Sequence, residues 1–71
     1  MNTINPNKLH HSKWTAVIPQ NREKHFIVTQ LLRNEEETVE HVVLEAVHSH
    51  REITLAWQAL KDDTTWKMGW K

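Results

Sequence analysis

The last third of the chain, residues 44–70, reads LEAVHSHREITLAWQALKDDTTWKMGW and decides what kind of protein this is. It contains three of the four tryptophans and the only glycine. Within it, the segment Arg51–Trp57 alternates apolar and polar residues, with Ile53, Leu55 and Trp57 sharing one side. A period of two is typical of a β-strand with one buried face. We therefore predict a strand here, with these three side chains in the core.

After this segment the alternation breaks. Asp63 is placed to cap a short helix over Thr64–Met68, because its carboxylate can accept a backbone N–H bond. Gly69 suits the left-handed backbone position that closes a helix. We predict that Trp66 and Trp70, at the end of the chain, fold back over the sheet as part of the core.

Three further strands are predicted upstream, at Ser12–Ile18, His25–Arg33 and Thr38–His48. All three are rich in β-branched and aromatic residues, which favour strands. Pro19 is expected to end the first strand because proline cannot donate a hydrogen bond to a neighbouring strand. The charged segment Gln20–Lys24 is predicted to be the first hairpin loop.

The predicted fold is mainly β, a small α+β domain. It is a four-stranded antiparallel meander with a short C-terminal helix or turn. The predicted core comprises Trp14, Phe26, Val28, Ile53, Leu55, Trp57, Trp66 and Trp70. A second set of apolar residues is predicted on the opposite face: Val17, Ile27, Leu31, Val42 and Leu44. These predict either a sheet curled into a partial barrel or an interface on that face.

Seventy-one residues allow a single domain, which we assign to residues 9–71. Residues 1–8 are polar and are predicted to form a flexible tail. The absence of cysteine excludes disulfides and fits a reducing compartment. No stretch free of Asp, Glu, Lys and Arg exceeds eight residues, so no membrane span is expected. The N-terminus lacks the apolar segment of a signal peptide, and a cytoplasmic protein is expected.

The charges are unevenly distributed although the net charge is zero. Residues 1–34 hold five Lys and Arg against one acid, whereas residues 35–71 hold four against eight. One interpretation is that the two halves attract each other across the sheet. The other is a basic first hairpin that binds nucleic acid, with phosphate contacts from Lys8, Lys13, Arg22 and Lys24.

Several short motifs carry a family resemblance that covers nearly the whole chain after residue 7. They are KLHHSKWTAV at 8–17, EKHF at 23–26, LEAV at 44–47, Trp57, LKD at 60–62, Trp66 and GWK at 69–71. In these motifs the chain resembles a family of small, tryptophan-rich bacterial proteins of unknown function. The resemblance implies a stand-alone cytoplasmic bacterial protein, and it brings no activity, cofactor, partner or catalytic residue with it.

Six histidines are many for this length and suggest a metal-binding alternative. On a strand, His48 and His50 would point to the same side, as two imidazole ligands of zinc require. The thiolates that usually accompany such ligands are missing, because the chain has no cysteine. Surface histidines that simply fill polar positions are the competing interpretation.

The sequence contains no signature of catalysis. Ser12 and Ser49 each follow a histidine directly, but adjacency in sequence is not a nucleophile–base geometry. No nucleophile elbow, glycine-rich phosphate loop or HExxH motif is present. We therefore expect a non-enzymatic binding module without a cofactor. Its partner is expected to be nucleic acid or, alternatively, a protein. The protein alternative includes a second copy of the chain, so it is expected to be a monomer or a weak homodimer.

Overall fold

A computed structural model describes residues 1–71 and shows one open antiparallel sheet. Its strands are β1 (Lys13–Gln20), β2 (Glu23–Arg33), β3 (Val39–Ala46), β4 (Glu52–Ala56) and β5 (Trp66–Met68). Their order across the sheet is β4-β3-β2-β1-β5. The helical segments are two 3-10 turns, at Pro6–Lys8 and Trp57–Lys61, and neither is long and apolar enough to cross a membrane. The predicted mainly β, antiparallel fold is confirmed.

The C-terminal segment forms a fifth strand, and the predicted helix over Thr64–Met68 is wrong. Asp62, not Asp63, supplies the capping carboxylate, which accepts bonds from the Thr64 backbone N–H at 2.9 Å and from two threonine hydroxyls. This turn directs Trp66 alongside β1, opposite Ala16. A five-residue helix is intrinsically unstable, whereas a strand there completes the free edge of β1.

The β1–β2 hairpin turns on two residues, Asn21 and Arg22, whose φ angles are 56° and 63°. Positive φ at both positions is the requirement of a type I′ turn. The predicted loop Gln20–Lys24 is therefore too long, since Gln20 already pairs with β2. Pro19 lies inside β1 rather than ending it. The Val17 N–H donates the last hydrogen bond from β1 to the C-terminal segment, to the Thr65 carbonyl oxygen. Pro19 lies beyond this bond at a free edge, where the missing N–H of proline is tolerated.

β2 contains a β-bulge at Thr29. Val28 and Gln30 of β2 pair with the consecutive residues Leu44 and Val43 of β3, which leaves Thr29 without a partner. The extra residue reverses the side to which the following side chains point. Leu31 therefore packs against the core and lies opposite the buried Val42, whereas strict alternation assigned Leu32 to that side.

The second apolar face predicted from the sequence does not form. Val42 and Leu44 are fully buried in the core, and Leu31 packs against it. Of this set, only Ile27 and Val17 remain on the opposite side of the sheet, where the half-buried Leu32 and Val43 also lie because they alternate with Leu31 and Val42. The open sheet does not curl into a barrel, and the five predicted residues do not share one face.

The core lies on one face of the sheet. Its buried members are Leu9, Trp14, Phe26, Val28, Val42, Leu44, Ala46, Leu60 and Trp66. The rings of Phe26 and Trp66 pack edge to face, with their centroids 5.2 Å apart. Ile53, Leu55 and Trp57 are partly buried around this cluster, and Trp57 begins the second 3-10 turn rather than ending β4.

The first nine residues, whose first eight were expected to form a flexible tail, have a defined place over the core. Leu9 is buried, and Ile4 packs against the same cluster. The amide of Asn2 donates hydrogen bonds to the carbonyl oxygens of Leu60 and Trp66, both at 2.8 Å. This segment therefore covers the sheet face that a small core would otherwise leave open.

Candidate binding surface

The face of the sheet opposite the core, called the second face below, carries a gradient of charge. Lys13 lies opposite Ile27, Ile27 opposite Glu45, and Glu45 opposite Glu52. Because these residues alternate with core positions, their side chains share the second face. Neighbouring strands are about 4.8 Å apart, so β1 lies about 10 Å from β3. The β1 side of this face is therefore basic and its β4 side acidic.

The C-terminal residues cross the basic side of the second face. The hydroxyl of Thr15 donates to the Gly69 carbonyl oxygen at 2.7 Å and accepts from the Lys71 N–H at 2.9 Å. Between these anchors, the Trp70 indole N–H donates to the Phe26 carbonyl oxygen at 3.0 Å. Trp70 is 43% exposed. Its predicted place in the core is therefore wrong, because Gly69 directs it over the second face instead.

The side chains of a lysine and a histidine lie against the Trp70 ring. The ammonium of Lys13 lies 4.7 Å from the centre of its indole ring, a cation–π contact. The ring of His25 lies 5.8 Å away, centroid to centroid. Lys67 faces Thr15 from β5 and shares the same side of the sheet. We call Lys13, His25, Lys67 and Trp70 the Trp70 surface.

The four basic residues predicted to contact phosphate do not form one patch. Lys8 and Lys13 line a depression of about 430 Å³ beside Gly69. Arg22 and Lys24 line a separate one of about 540 Å³ at the hairpin end, with His25 and His48. Only Lys13 joins the Trp70 surface. Lys67 and Trp70 are absent from the predicted binding residues, although a tryptophan between the only glycine and Lys71 was a usable signal.

Trp14, which is flanked by Lys13 in the sequence, is not available for contact with a ligand. It is 1% exposed, and its indole N–H donates to the Ser12 hydroxyl at 2.8 Å. Its polar atom is therefore satisfied inside the protein. Of the four tryptophans, Trp70 is the only one among the exposed large apolar residues.

A buried carboxylate lies at the other end of the sheet. Glu23 is 3% exposed and is held by Arg51, whose Nε lies 3.1 Å from both carboxylate oxygens. The Arg51 Nη2 group and the Ser49 hydroxyl also donate to it. The bonds from Arg51, and then the one from the Ser49 hydroxyl, lower the pKa of Glu23 from 4.5 to about 2. Such a carboxylate is a weak general base, and its contacts indicate a structural role.

A cleft of about 350 Å³ adjoins this carboxylate on the core side of the sheet. Phe26, Trp66 and Ile53 contribute apolar walls, and Arg51 lies at its rim with Glu23. The two charges are paired with each other, so the cleft presents no uncompensated charge to a ligand.

The model of a family described as "Tryptophan-rich protein (DUF2389)", a family of unknown function, matches residues 12–71. The chain belongs to this tryptophan-rich family. The resemblance seen in the sequence is therefore confirmed. No curated protein and no solved structure matches the chain significantly.

The region shared with the tryptophan-rich family contains all five strands and all four tryptophans. It includes the whole Trp70 surface and the pair of Glu23 and Arg51. Lys8 and the first 3-10 turn precede it. The surface built around Trp70 is thus made from residues of the family domain itself.

The histidines of this DUF2389 member are not gathered into a metal site. No group of three or more His, Cys, Asp or Glu side chains is placed to hold an ion. His50 contacts the Glu45 carboxylate at 2.8 Å, whereas His48 lines the depression beside Arg22. The two predicted ligands therefore have different neighbours, and no third ligand lies beside either of them.

Proposed function

We propose that this protein is a non-enzymatic binding module that holds single-stranded nucleic acid on the Trp70 surface. The observation that carries the proposal is the half-exposed indole of Trp70, which is held in place between Lys13 and His25. Sheets that bind single strands combine an exposed aromatic ring for base stacking with cations for the phosphates.

The indole is preorganised for stacking. Its N–H bond to the Phe26 carbonyl oxygen and the flanking bonds of Thr15 hold it against the sheet. Little side-chain freedom is then lost on binding, which improves affinity. One stacked base contributes about 1–3 kcal/mol. Lys13 and Lys67 would contact the phosphates on either side of that base.

The charge distribution favours a single strand over a duplex. The net charge of the protein is zero, and the basic residues occupy one side of the second face only. A strand that contacts about two to four phosphates gives a salt slope of about −1.5 to −3 for the logarithm of the binding constant. The acidic side of the same face, at Glu45 and Glu52, would repel a second strand.

The source of the protein and its cellular compartment can be proposed on two grounds. A cysteine-free chain fits a reducing compartment, and the family resemblance suggests a bacterial source. We therefore propose a bacterial protein that meets its nucleic-acid partner in the cytoplasm.

Fluorescence titration with oligothymidylate tests the proposal, because stacking quenches tryptophan emission. We expect quenching at low salt that reverses as salt is raised. Trp70→Phe should remove most of the signal, and Lys13→Gln should weaken binding by about three- to tenfold, as expected for one lost phosphate contact. Binding to a duplex of equal length should be weaker.

Lys61 provides the matched control. Its ammonium lies 4.8 Å from the ring centre of Trp57, so it makes the same type of contact beside the core instead of on the second face. Lys61→Gln should bind like the wild type. Equal losses in the Lys13 and Lys61 variants would contradict the proposal, as would the absence of binding to any oligonucleotide. A loss confined to an Arg22→Gln, Lys24→Gln double variant would move the site to the hairpin end.

A further inference from the structure

The outer edge of β4 carries unpaired backbone groups. The N–H of Ala46 donates to the Arg51 carbonyl oxygen at 2.9 Å, so the backbone of Arg51 faces β3. Hydrogen-bonding direction alternates along an antiparallel pair, and the register continues without a bulge to Ala56. The N–H groups of Glu52, Thr54 and Ala56 and the carbonyl groups of Glu52 and Thr54 therefore point away from the sheet. No other strand lies on that side.

The opposite edge of the sheet is short, and part of its backbone is hydrogen-bonded. β5 has only three residues, and Trp66 donates its N–H to the Asp62 carbonyl oxygen while its own carbonyl accepts from Asn2. Pro19 protects the free end of β1 next to it. β4 contains no proline, no lysine and no bulge, and its one charged side chain is that of its first residue, Glu52.

The core is also incomplete beside β4. Ile53, Leu55 and Trp57 pack against the buried cluster but remain only partly buried. They differ in this from Val42 and Leu44 of the neighbouring β3, which are fully buried. Apolar side chains beside an unpaired edge would be covered if another strand were added there.

We propose that β4 pairs with β4 of a second copy of this chain, antiparallel and centred on Thr54. In this register Thr54 lies opposite its own counterpart, and Ile53 lies opposite Leu55 of the other copy. Glu52 then lies opposite Ala56, so no two carboxylates face each other. The segment is thus complementary to itself, as a two-fold interface requires. About four new backbone hydrogen bonds join two five-stranded sheets into one.

Sedimentation equilibrium from about 5 µM to about 1 mM tests the pairing, since small interfaces dissociate in this range. We expect the mass to rise from that of one chain, 8.5 kDa, toward twice that value. Thr54→Pro removes only an outward N–H, which an edge strand tolerates, and should keep the protein monomeric. Thr54→Val retains the N–H and should still dimerise.

Charge changes at Ala56 test the register and remain informative if the proline variant fails to fold. Ala56→Lys places an ammonium opposite Glu52 of the other copy and should tighten the dimer by about two- to tenfold. Ala56→Glu places a carboxylate there and should weaken it by a similar factor. Identical dimerisation of these two variants would overturn the proposed register.

Amide hydrogen exchange gives an independent readout. The N–H groups of Glu52, Thr54 and Ala56 should become protected as the concentration rises, whereas those of Ile53 and Leu55 should be protected throughout. A wild-type protein that stays monomeric at about 1 mM, with these three amides unprotected, would overturn the proposal. The edge of β4 would then be available to pair with a different protein.

Discussion

Arg51 and Glu23 lie 28 positions apart in the chain, and the Arg51 Nε lies 3.1 Å from both carboxylate oxygens of Glu23. Glu23 begins β2, whereas Arg51 directly precedes β4. With the hydroxyl of Ser49 they close the end of the sheet where the first hairpin and the β3–β4 turn meet. A carboxylate that is 3% exposed requires such partners, because burying an unpaired charge is strongly unfavourable.

Glu23 should make stability depend on acid pH. Its folded pKa of about 2 lies below the reference value of 4.5. The stabilisation is therefore complete above pH 4.5 and is lost as the pH falls from there toward 2. We expect the melting temperature of the wild type to exceed that of Glu23→Gln at neutral pH and to converge with it in strong acid. Thermal melts of both proteins across this range give the comparison.

A difference between the wild type and Glu23→Gln that stays constant with pH would contradict this assignment. Glu36→Gln is a suitable control, because Glu36 is exposed and its side chain makes no hydrogen bond or ion pair in the structure. Its melting temperature should follow that of the wild type across the same pH range.

The four tryptophans should differ in their contribution to stability. Trp14→Ala removes a side chain that is 1% exposed, and such a truncation costs about 3–5 kcal/mol. This approaches the total stability of many small domains, so we expect an unfolded protein. Trp70→Ala loses one hydrogen bond and a surface contact, and should cost about 1 kcal/mol. Urea unfolding followed by circular dichroism measures both.

Trp57 lies between these extremes. The alternation of apolar residues in the sequence segment Arg51–Trp57 predicts that Trp57→Ala unfolds the protein, whereas the structure shows this ring only partly buried, in contact with Lys61. We expect a larger loss than for Trp70→Ala and a smaller one than for Trp14→Ala. The reverse order of the Trp14 and Trp70 variants would contradict the placement of the C-terminal segment on the second face.

The first hairpin should be stabilised by glycine at its second turn position. Arg22 has a φ of 63°, a left-handed conformation that disfavours residues with a Cβ atom. Asn-Gly is the preferred sequence of a type I′ turn. Arg22→Gly should therefore raise the free energy of unfolding by about 0.5–1 kcal/mol. Arg22→Ala, which keeps the Cβ atom, should give no such gain in the same urea titration.

Asn2 should stabilise the contact between the N-terminal segment and β5. Its side-chain amide donates to the carbonyl oxygens of Leu60 and Trp66. Asn2→Ala removes both bonds and should cost about 1–3 kcal/mol. Thr3→Ala, at an exposed position whose side chain makes no hydrogen bond in the structure, should cost less than about 0.5 kcal/mol. Equal melting temperatures for the two variants would show that the segment does not hold β5.

The strand pattern could be read from the sequence because alternation is a local signal. Ile53, Leu55 and Trp57 follow a period of two, and the structure packs all three against the core. Alternation failed at Leu31, because a bulge at Thr29 reverses the side of the following residues without a local sequence signal. It also failed at Thr64–Met68, where the choice between helix and strand depended on the free edge of β1.

The candidate site was only partly predictable. Lys13 was identified from its basic surroundings, and it does lie on the Trp70 surface. Lys8 lines the same depression as Lys13, whereas Arg22 and Lys24 lie at a different one, because the length and turn of the first hairpin separate them from Lys13. Trp70 was assigned to the core because large aromatic side chains are usually buried in small domains.

By itself, the sequence determined the class of the fold, the positions of four strands and membership of the tryptophan-rich family, because these depend on local periodicity and short motifs. Only the tertiary structure decided which tryptophan remains accessible. Trp66 and Trp70 are four positions apart, yet the turn at Gly69, with its φ of 79°, places one in the core and the other on the second face. That choice depends on the bond that the Thr15 hydroxyl donates to Gly69 and on the bond that the Phe26 carbonyl oxygen accepts from Trp70, and both partners lie more than forty residues away in the chain.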